Sequence, residues 1–200
     1  MKKIPLLLFL VVAIQLSSVA QETRTKINEV GITFSSLSSF GLRYKYGSPK
    51  TLLRLTLLSL NGASNNSKPD SLAQNNNSSL SFGFNIGFEK RKSITDKLGF
   101  YYGLDLLSKY SQSENKNIKY NDDSKSWSAG MGIALVFGLT YTINNNFILA
   151  AEVDPSIMYY YGKSKITNNG IQQIERTNTS VSYGLNNYGA NLTLAYRFGK

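Results

Sequence analysis

Over residues 127–143 the chain alternates with a period of two, and neither of the two faces carries a charge. The odd positions read Trp127, Ala129, Met131, Ile133, Leu135, Phe137, Leu139, Tyr141 and Ile143. The even positions read Ser128, Gly130, Gly132, Ala134, Val136, Gly138, Thr140 and Thr142, all small or weakly polar. Side chains of a strand point alternately to opposite faces, so this is a strand pattern. A soluble sheet turns charged residues to water on its outer face. This strand has none to turn, and its bulky face calls for an apolar solvent such as lipid.

The same alternation predicts seven further strands. Residues 29–36 set Val30, Ile32 and Phe34 on the apolar face, and 40–46 set Phe40, Leu42, Tyr44 and Tyr46 there. Leu53, Leu55 and Leu57 oppose Arg54 and Thr56 in 51–60. In 80–91 the row Leu80, Phe82, Phe84, Ile86 and Phe88 opposes Gly83, Asn85, Gly87 and Glu89. In 98–110, Leu98, Phe100, Tyr102, Leu104 and Leu106 oppose Gly99, Tyr101, Gly103, Asp105 and Lys109. The seventh strand, 147–161, contains Pro155, which predicts a bulge. The eighth, 180–198, changes parity near Asn186 and Asn187, where a second bulge is expected. Backbone groups in hydrocarbon have no water to bond, so these strands must close into a ring. The fold class is therefore all-β, an eight-stranded antiparallel up-and-down transmembrane β-barrel occupying 29–198.

Short turns at 47–50, 95–97 and 144–146 alternate with long polar loops, expected at 61–79, 111–125 and 162–178. That asymmetry marks outer-membrane barrels, with short turns on the periplasmic side. Only 35–39 departs from it, as a short connection where a long one is due. An even strand count places both termini on the periplasmic side. Aromatic residues gather at both rims: Tyr44, Tyr46, Tyr141, Tyr196 and Phe198 near the short turns, and Tyr110, Trp127, Tyr159 and Tyr161 near the long stretches. Interfacial girdles have this composition.

The interior of an eight-stranded barrel is just wide enough for side chains to fill it. Inward parity falls on Glu29, Glu89, Asp105, Glu152 and Asp154, and on Arg43, Lys45, Arg54, Arg91, Lys109 and Arg197. Five acids and six bases nearly cancel, which predicts a salt-bridged lumen rather than a selective pore. Glycines at 83, 87, 99, 103, 130, 132 and 138 make room for larger side chains across that lumen. Composition agrees with the pattern. Only 17% of residues are charged and 42% are apolar, because half of each strand faces lipid and half does not.

Residues 1–20 read as a cleaved signal peptide. Lys2 and Lys3 precede an apolar run over 4–14, and small residues at Ser18 and Ala20 fit cleavage before Gln21. The run is too short for a spanning helix, which needs about twenty residues. No Cys follows it, which excludes a lipoprotein. Residues 21–28 are then a periplasmic N-terminal segment, and the mature chain is expected to keep a net charge of +8, the total of +10 less Lys2 and Lys3.

With its eight alternating strands and the ending Tyr196-Arg197-Phe198, the chain resembles the small outer-membrane β-barrel family of Gram-negative bacteria, of the OmpA/OmpX-like, porin-family type. The resemblance covers 29–198. It implies an assembly signal in the last strand, matched by Asn191, Tyr196 and Phe198, with Thr193 where glycine is usual and Gly199 and Lys200 beyond the final Phe. It also implies the barrel-assembly machinery as a transient partner. The cut before Gln21 and the Asn-rich stretches are similar to proteins of the Bacteroidetes, and Asp70-Ser71-Leu72 resembles their O-glycosylation motif, with Ser71 as acceptor.

Chemistry is sparse. No Cys and no His are present, which excludes thiolate and imidazole catalysis, disulfides and zinc sites built on those residues. The enzymes of this membrane are His-dependent by family resemblance, so no catalytic, cofactor or metal site is expected. Glu152 and Asp154 share one face and have the chemistry for acid–base work, but belong with the lumen charges. Glu114, Asp122 and Asp123 lack the spacing of a calcium loop. The run Lys90-Arg91-Lys92 with Lys97 makes a basic turn suited to anionic lipid headgroups or the cell wall, beside simple anchoring at the rim. The bases are too dispersed, and too free of interleaved aromatics, for nucleic acid.

The expected protein is a monomer in contact with outer-membrane lipids, with a structural or adhesive role exerted through its long exterior stretches on an unidentified extracellular partner. A narrow porin-like channel and a soluble barrel with its apolar residues inside are the rivals; the second needs a charged outer face that 127–143 lacks. Face assignment makes a direct prediction. Leu135→Arg should cost roughly 2–4 kcal/mol near the bilayer midplane, measured by urea unfolding in lipid vesicles, and Gly132→Ser should cost far less.

Overall fold

A computed structural model describes residues 26–36, 39–67, 75–117, 122–168, 171–185 and 189–198. The signal peptide, Ser71, the Asn186-Asn187 pair, Gly199 and Lys200 lie outside the described residues. Ten strand segments follow in order: β1 (Ile27–Ser36), β2 (Ser39–Ser48), β3 (Thr51–Ser67), β4 (Asn75–Ser93), β5 (Leu98–Asn117), β6 (Asp122–Thr142), β7 (Phe147–Val153), β8 (Ser156–Asn168), β9 (Ile171–Gly184) and β10 (Ala190–Phe198). The barrel thus begins at Ile27, two residues before the boundary expected from sequence.

Ten segments make eight traverses of the wall. Both β7 and β8 pair with β6, and their register on it is continuous, Phe137 opposite Val153 and Ala134 opposite Ser156. Pro155 carries no inserted residue on that side, and its carbonyl accepts the Leu135 N–H at 3.0 Å. The bulge expected at Pro155 is therefore absent, and the parity change expected near Asn186 and Asn187 falls between β9 and β10. There Gly184 opposes Ser156 while Ala190 opposes Val153, so five residues of the β9–β10 traverse span what two residues span on β7–β8. An offset of three is odd, which is why lipid-facing parity changes from Val181 and Tyr183 to Leu192 and Leu194. Gly184 ends β9 at φ +113°, a conformation that side chains with a Cβ rarely adopt.

Every pairing is antiparallel, and β1 pairs with both β2 and β10, which closes the ring of eight. The two faces separate cleanly. Leu135 is 51% exposed and its neighbour Val136 is 0% exposed. Val30, Leu42, Leu53, Phe84, Leu106 and Leu194 share the outer, lipid-facing surface. The inside is polar and packed, with Arg54, Glu89, Leu52 and Tyr101 fully buried.

The three long polar stretches are mostly not loops. β3 continues to Ser67 and pairs with β4 from Asn75, β5 continues to Asn117 opposite Asp122, and β8 continues to Asn168 opposite Ile171. A hydrogen-bond ladder needs only backbone, so once the apolar stem holds two strands in register, Asn, Ser and Thr continue it with both faces wet. Composition alone reads such residues as turns. The first hairpin differs: β1 and β2 end at Ser36 and Ser39. Among the described residues this short hairpin leaves the outer part of β3 paired only with β4, and β9 paired only with β8. A one-residue shift between Leu58 and Asn61 marks where β3 leaves the ring.

Gly132 is a tighter position than its inward parity suggests. A Cβ there would run into the carbonyl oxygen of Ile157 and the Cα of Met158, and backbone cannot swing aside. Gly132→Ser should therefore destabilise by roughly 1–3 kcal/mol, the usual cost of overpacking, where parity alone predicts far less than for Leu135→Arg. Urea unfolding in lipid vesicles checks this, and a wild-type midpoint would contradict the close packing of β6 on β8.

Candidate functional site: a charged network across the lumen

Alternation places one inward side chain at every second residue, and the ring brings the inward rows of different strands face to face. Arg54, on β3, is at the centre. Its guanidinium lies 3.2 Å from Glu89 Oε2, 3.1 Å from Asp105 Oδ1 and 3.1 Å from Glu152 Oε1. Arg43 pairs with Glu152 at 2.5 Å and donates to the hydroxyls of Thr56 and Thr193, each at 3.1 Å. Thr193 in turn donates to Thr33 at 2.9 Å. Lys45 donates to Glu89 at 2.8 Å.

Nearer the short turns, Arg91 grips Glu29 with two parallel bonds of 2.6 and 2.7 Å and reaches Glu89 at 2.7 Å. Arg197 adds a contact of 2.9 Å to Glu29. This bidentate geometry is the strongest form of the pair. The network draws on every traverse except β6, whose inward residues are small. Gly138 of β6 is where the Tyr101 ring lies, and a Cβ there would collide with it.

Tyr101 is the member that charge counting alone does not reveal. Its hydroxyl donates to Glu152 at 2.8 Å, and the Lys45 ammonium lies 5.0 Å from its ring centre. The available signal was a bulky aromatic at inward parity between Gly99 and Gly103. Thr33, Thr56 and Thr193 were likewise missed, because a lone Thr at inward parity looks like filler until an Arg is seen opposite it.

The structure places Asp154, Asn191 and Lys109 on the long-hairpin side of this layer. Asp154 accepts from Asn191 Nδ2 at 2.8 Å, so Asn191, read from sequence as part of an assembly signal, is also a lumen residue. Glu152 and Asp154 have different hydrogen-bond partners. Lys109 lines a cavity of about 100 Å³ together with Asp105, Asp154, Asn191 and Tyr160. Arg43 and Asp105 line the same cavity and are tied into the network beside it. Tyr196 and Phe198 face lipid, their rings 6.4 Å apart.

Outside the wall, Lys125 and Lys116 hold Glu114 at 3.0 and 3.1 Å, and those hydrogen bonds keep its carboxyl below the ordinary range. Lys163 and Lys165 flank Glu175 at 3.6 and 3.8 Å. Asp122 and Asp123 stand opposite Asn117 and Lys116 in the β5–β6 hairpin. Among the described residues no cluster of acids has the makings of a metal site. Trp127 and Tyr161 meet at 5.8 Å just below this tier.

Removing the centre of the network should be severe. Arg54→Met leaves Glu89, Asp105 and Glu152 short of a counter-charge and is expected to cost roughly 3–5 kcal/mol. Lys116→Met, in an exposed pair that solvent screens, should leave the unfolding midpoint close to wild type. Paired urea titrations in vesicles distinguish the two.

Comparison with known proteins gives the following. The profile of the Putative OmpA-OmpF-like porin family matches residues 42–183. No curated protein matches. A major outer membrane protein from Thermus thermophilus aligns with a TM-score of 0.52 at 10% identity, covering 88% of this chain and 100% of that one. The attachment invasion locus protein Ail of Yersinia pestis aligns at 12% identity over 88% of this chain and 100% of its own, with a TM-score of 0.38. Neisserial surface protein A aligns at 16% identity over 88% of this chain and 95% of its own, with a TM-score of 0.33. Of these, the Thermus protein carries the likeness of fold.

Proposed function

The chain belongs to the OmpA-OmpF-like porin family of outer-membrane β-barrels, and on that footing we propose that it is a non-conducting membrane anchor whose extended hairpins carry a structural or adhesive role at the cell surface. The observation that carries this reading is the layer of buried ion pairs. Arg54, Glu89 and Glu152 join side chains from opposite walls, and their side chains are fully buried. An ion crossing the barrel would have to break several charge-assisted bonds at once in a site of low dielectric, where each is strong. In this reading the short turns and both termini lie in the periplasm, and the β3–β4, β5–β6 and β8–β9 hairpins stand outside.

Two features suit the hairpins to recognition. They are polar sheet rather than floppy loop, so little conformational entropy remains to be lost on binding. The β9 edge, with β8 as its neighbour among the described residues, has the form to which an extended peptide can add as a strand. Catalysis has no place in the proposal, since neither His nor Cys is present to activate a nucleophile.

Planar-bilayer recording of the full chain is expected to show no unit conductance above background, whereas stable steps would establish a narrow channel running through the cavity beside Lys109. Protease shaving of intact cells should cut within 61–79, 111–125 or 162–178 and spare the short turns. Cells displaying a chain shortened across these three stretches should lose surface attachment while keeping the folded barrel. Unchanged attachment would remove the adhesive part of the proposal.

A further inference from the structure

The net charge of +10 is not spread evenly over the molecule. Within the lumen, six bases face five acids. On the long-hairpin exterior, Lys116, Lys125, Lys163, Lys165 and Arg176 are set against Glu114, Asp122, Asp123 and Glu175. At the short-turn rim, Lys26, Lys50, Lys90, Lys92 and Lys97 have only Asp96 to balance them, and all five are exposed. Among the described residues none of these five takes part in an ion pair, whereas four of the five exterior bases do. Most of the unbalanced charge of the described chain is therefore held in one rim.

The direction of these lysines matters as much as their number. Lys90 and Lys92 continue the outward row Phe84, Ile86 and Phe88 of β4, which faces lipid. They stand opposite Tyr102 and Phe100 of β5, two rings whose centres are 6.1 Å apart. Two residues along a strand are about 7 Å apart, so both ammonium groups emerge sideways at the level where hydrocarbon gives way to headgroups. Lys26 lies 5.6 Å from the centre of the Tyr46 ring, on the same outward surface. Lysines flanked by aromatic rings at this depth extend their stems along the apolar surface and hold their charge among the headgroups.

We infer that this rim is a binding site for anionic glycerophospholipid, with Lys90 and Lys92 on the headgroup phosphate and Tyr102 and Phe100 against the glycerol and upper acyl chain. The cell wall, the other polyanion near this rim, fits less well because the two lysines point sideways into the bilayer and not away from it. The site belongs to a rim of the barrel. Only the identification of that leaflet as periplasmic rests on the orientation proposed above, and protease shaving tests the orientation separately.

The test uses the full chain in phosphatidylcholine bilayers, with trace spin-labelled phosphatidylglycerol or phosphatidylcholine as probe and the motionally restricted fraction as readout. Wild type should prefer phosphatidylglycerol, and each of Lys90→Gln and Lys92→Gln should lower that preference by about fivefold, as expected for a basic residue at a membrane surface. Lys163→Gln with Lys165→Gln, at the opposite rim, should leave it unchanged. Each variant is first shown to keep the compact, heat-modifiable form in gel electrophoresis, and 1 M salt applied to wild type should reproduce the loss without any substitution. Equal preference for the two lipids in wild type would overturn the site, as would equal losses at both rims. Retention on purified cell-wall sacculi that depends on Lys90 and Lys92, with lipid preference unaltered, would overturn it in favour of the wall.

Discussion

In hydrocarbon a backbone N–H or C=O without a partner costs several kcal/mol, and the pairing of β1 with β10 is what removes the last two open edges of this sheet. Seven registered positions, from Asn28 opposite Phe198 to Phe34 opposite Leu192, make that seam. Everything else about the molecule follows from closing at eight. A ring of eight strands leaves an interior just wide enough for side chains to fill. Its lumen must be packed, and the inward residues of β1, β2, β3, β4, β5, β7 and β10 pack it with charge.

A charged interior is a weak source of net stability, because desolvation offsets most of the Coulombic gain. Its value here is geometric. The bidentate grip of Arg91 on Glu29 ties β4 to β1, and the three carboxylates around Arg54 tie β3 to β4, β5 and β7. A strand slipped by one residue would turn these charges to lipid and the apolar row inward, so the network and the lipid face enforce the same register. The small inward residues of β6 are the counterpart of the large ones elsewhere. Gly138 is open because Tyr101 occupies the space.

Much of this was readable in the order of the residues. Strict alternation over 127–143 with no charge on either face implies lipid outside, and the same parity rule assigns eleven charged residues to the inward rows. Parity could not say which charges meet. Arg54 and Glu152 are 98 positions apart, and their contact at 3.1 Å exists only because the ring places β3 across from β7. Tyr101 and the three Thr hydroxyls were overlooked for the same reason. Asn and Ser carry a turn signal, so composition predicts loops where the polar hairpins stand, and a backbone ladder anchored by its stem overrides that signal. Pro155 suggests a bulge because proline lacks an N–H for the ladder, yet β7 and β8 keep one register on β6 through it, whereas the parity change in the eighth strand correctly points to the interval between β9 and β10.

The sequence by itself determined the period, the sign of each face and the size class of the barrel, because these depend on side-chain direction along one strand and on the solvent each face meets. Only the tertiary structure decided the pairings within the lumen, the length of the long hairpins and the addition of Lys26 and Lys50 to the basic rim that Lys90, Lys92 and Lys97 begin. Those depend on which strands become neighbours, and in a closed antiparallel ring residues far apart in sequence share one narrow interior.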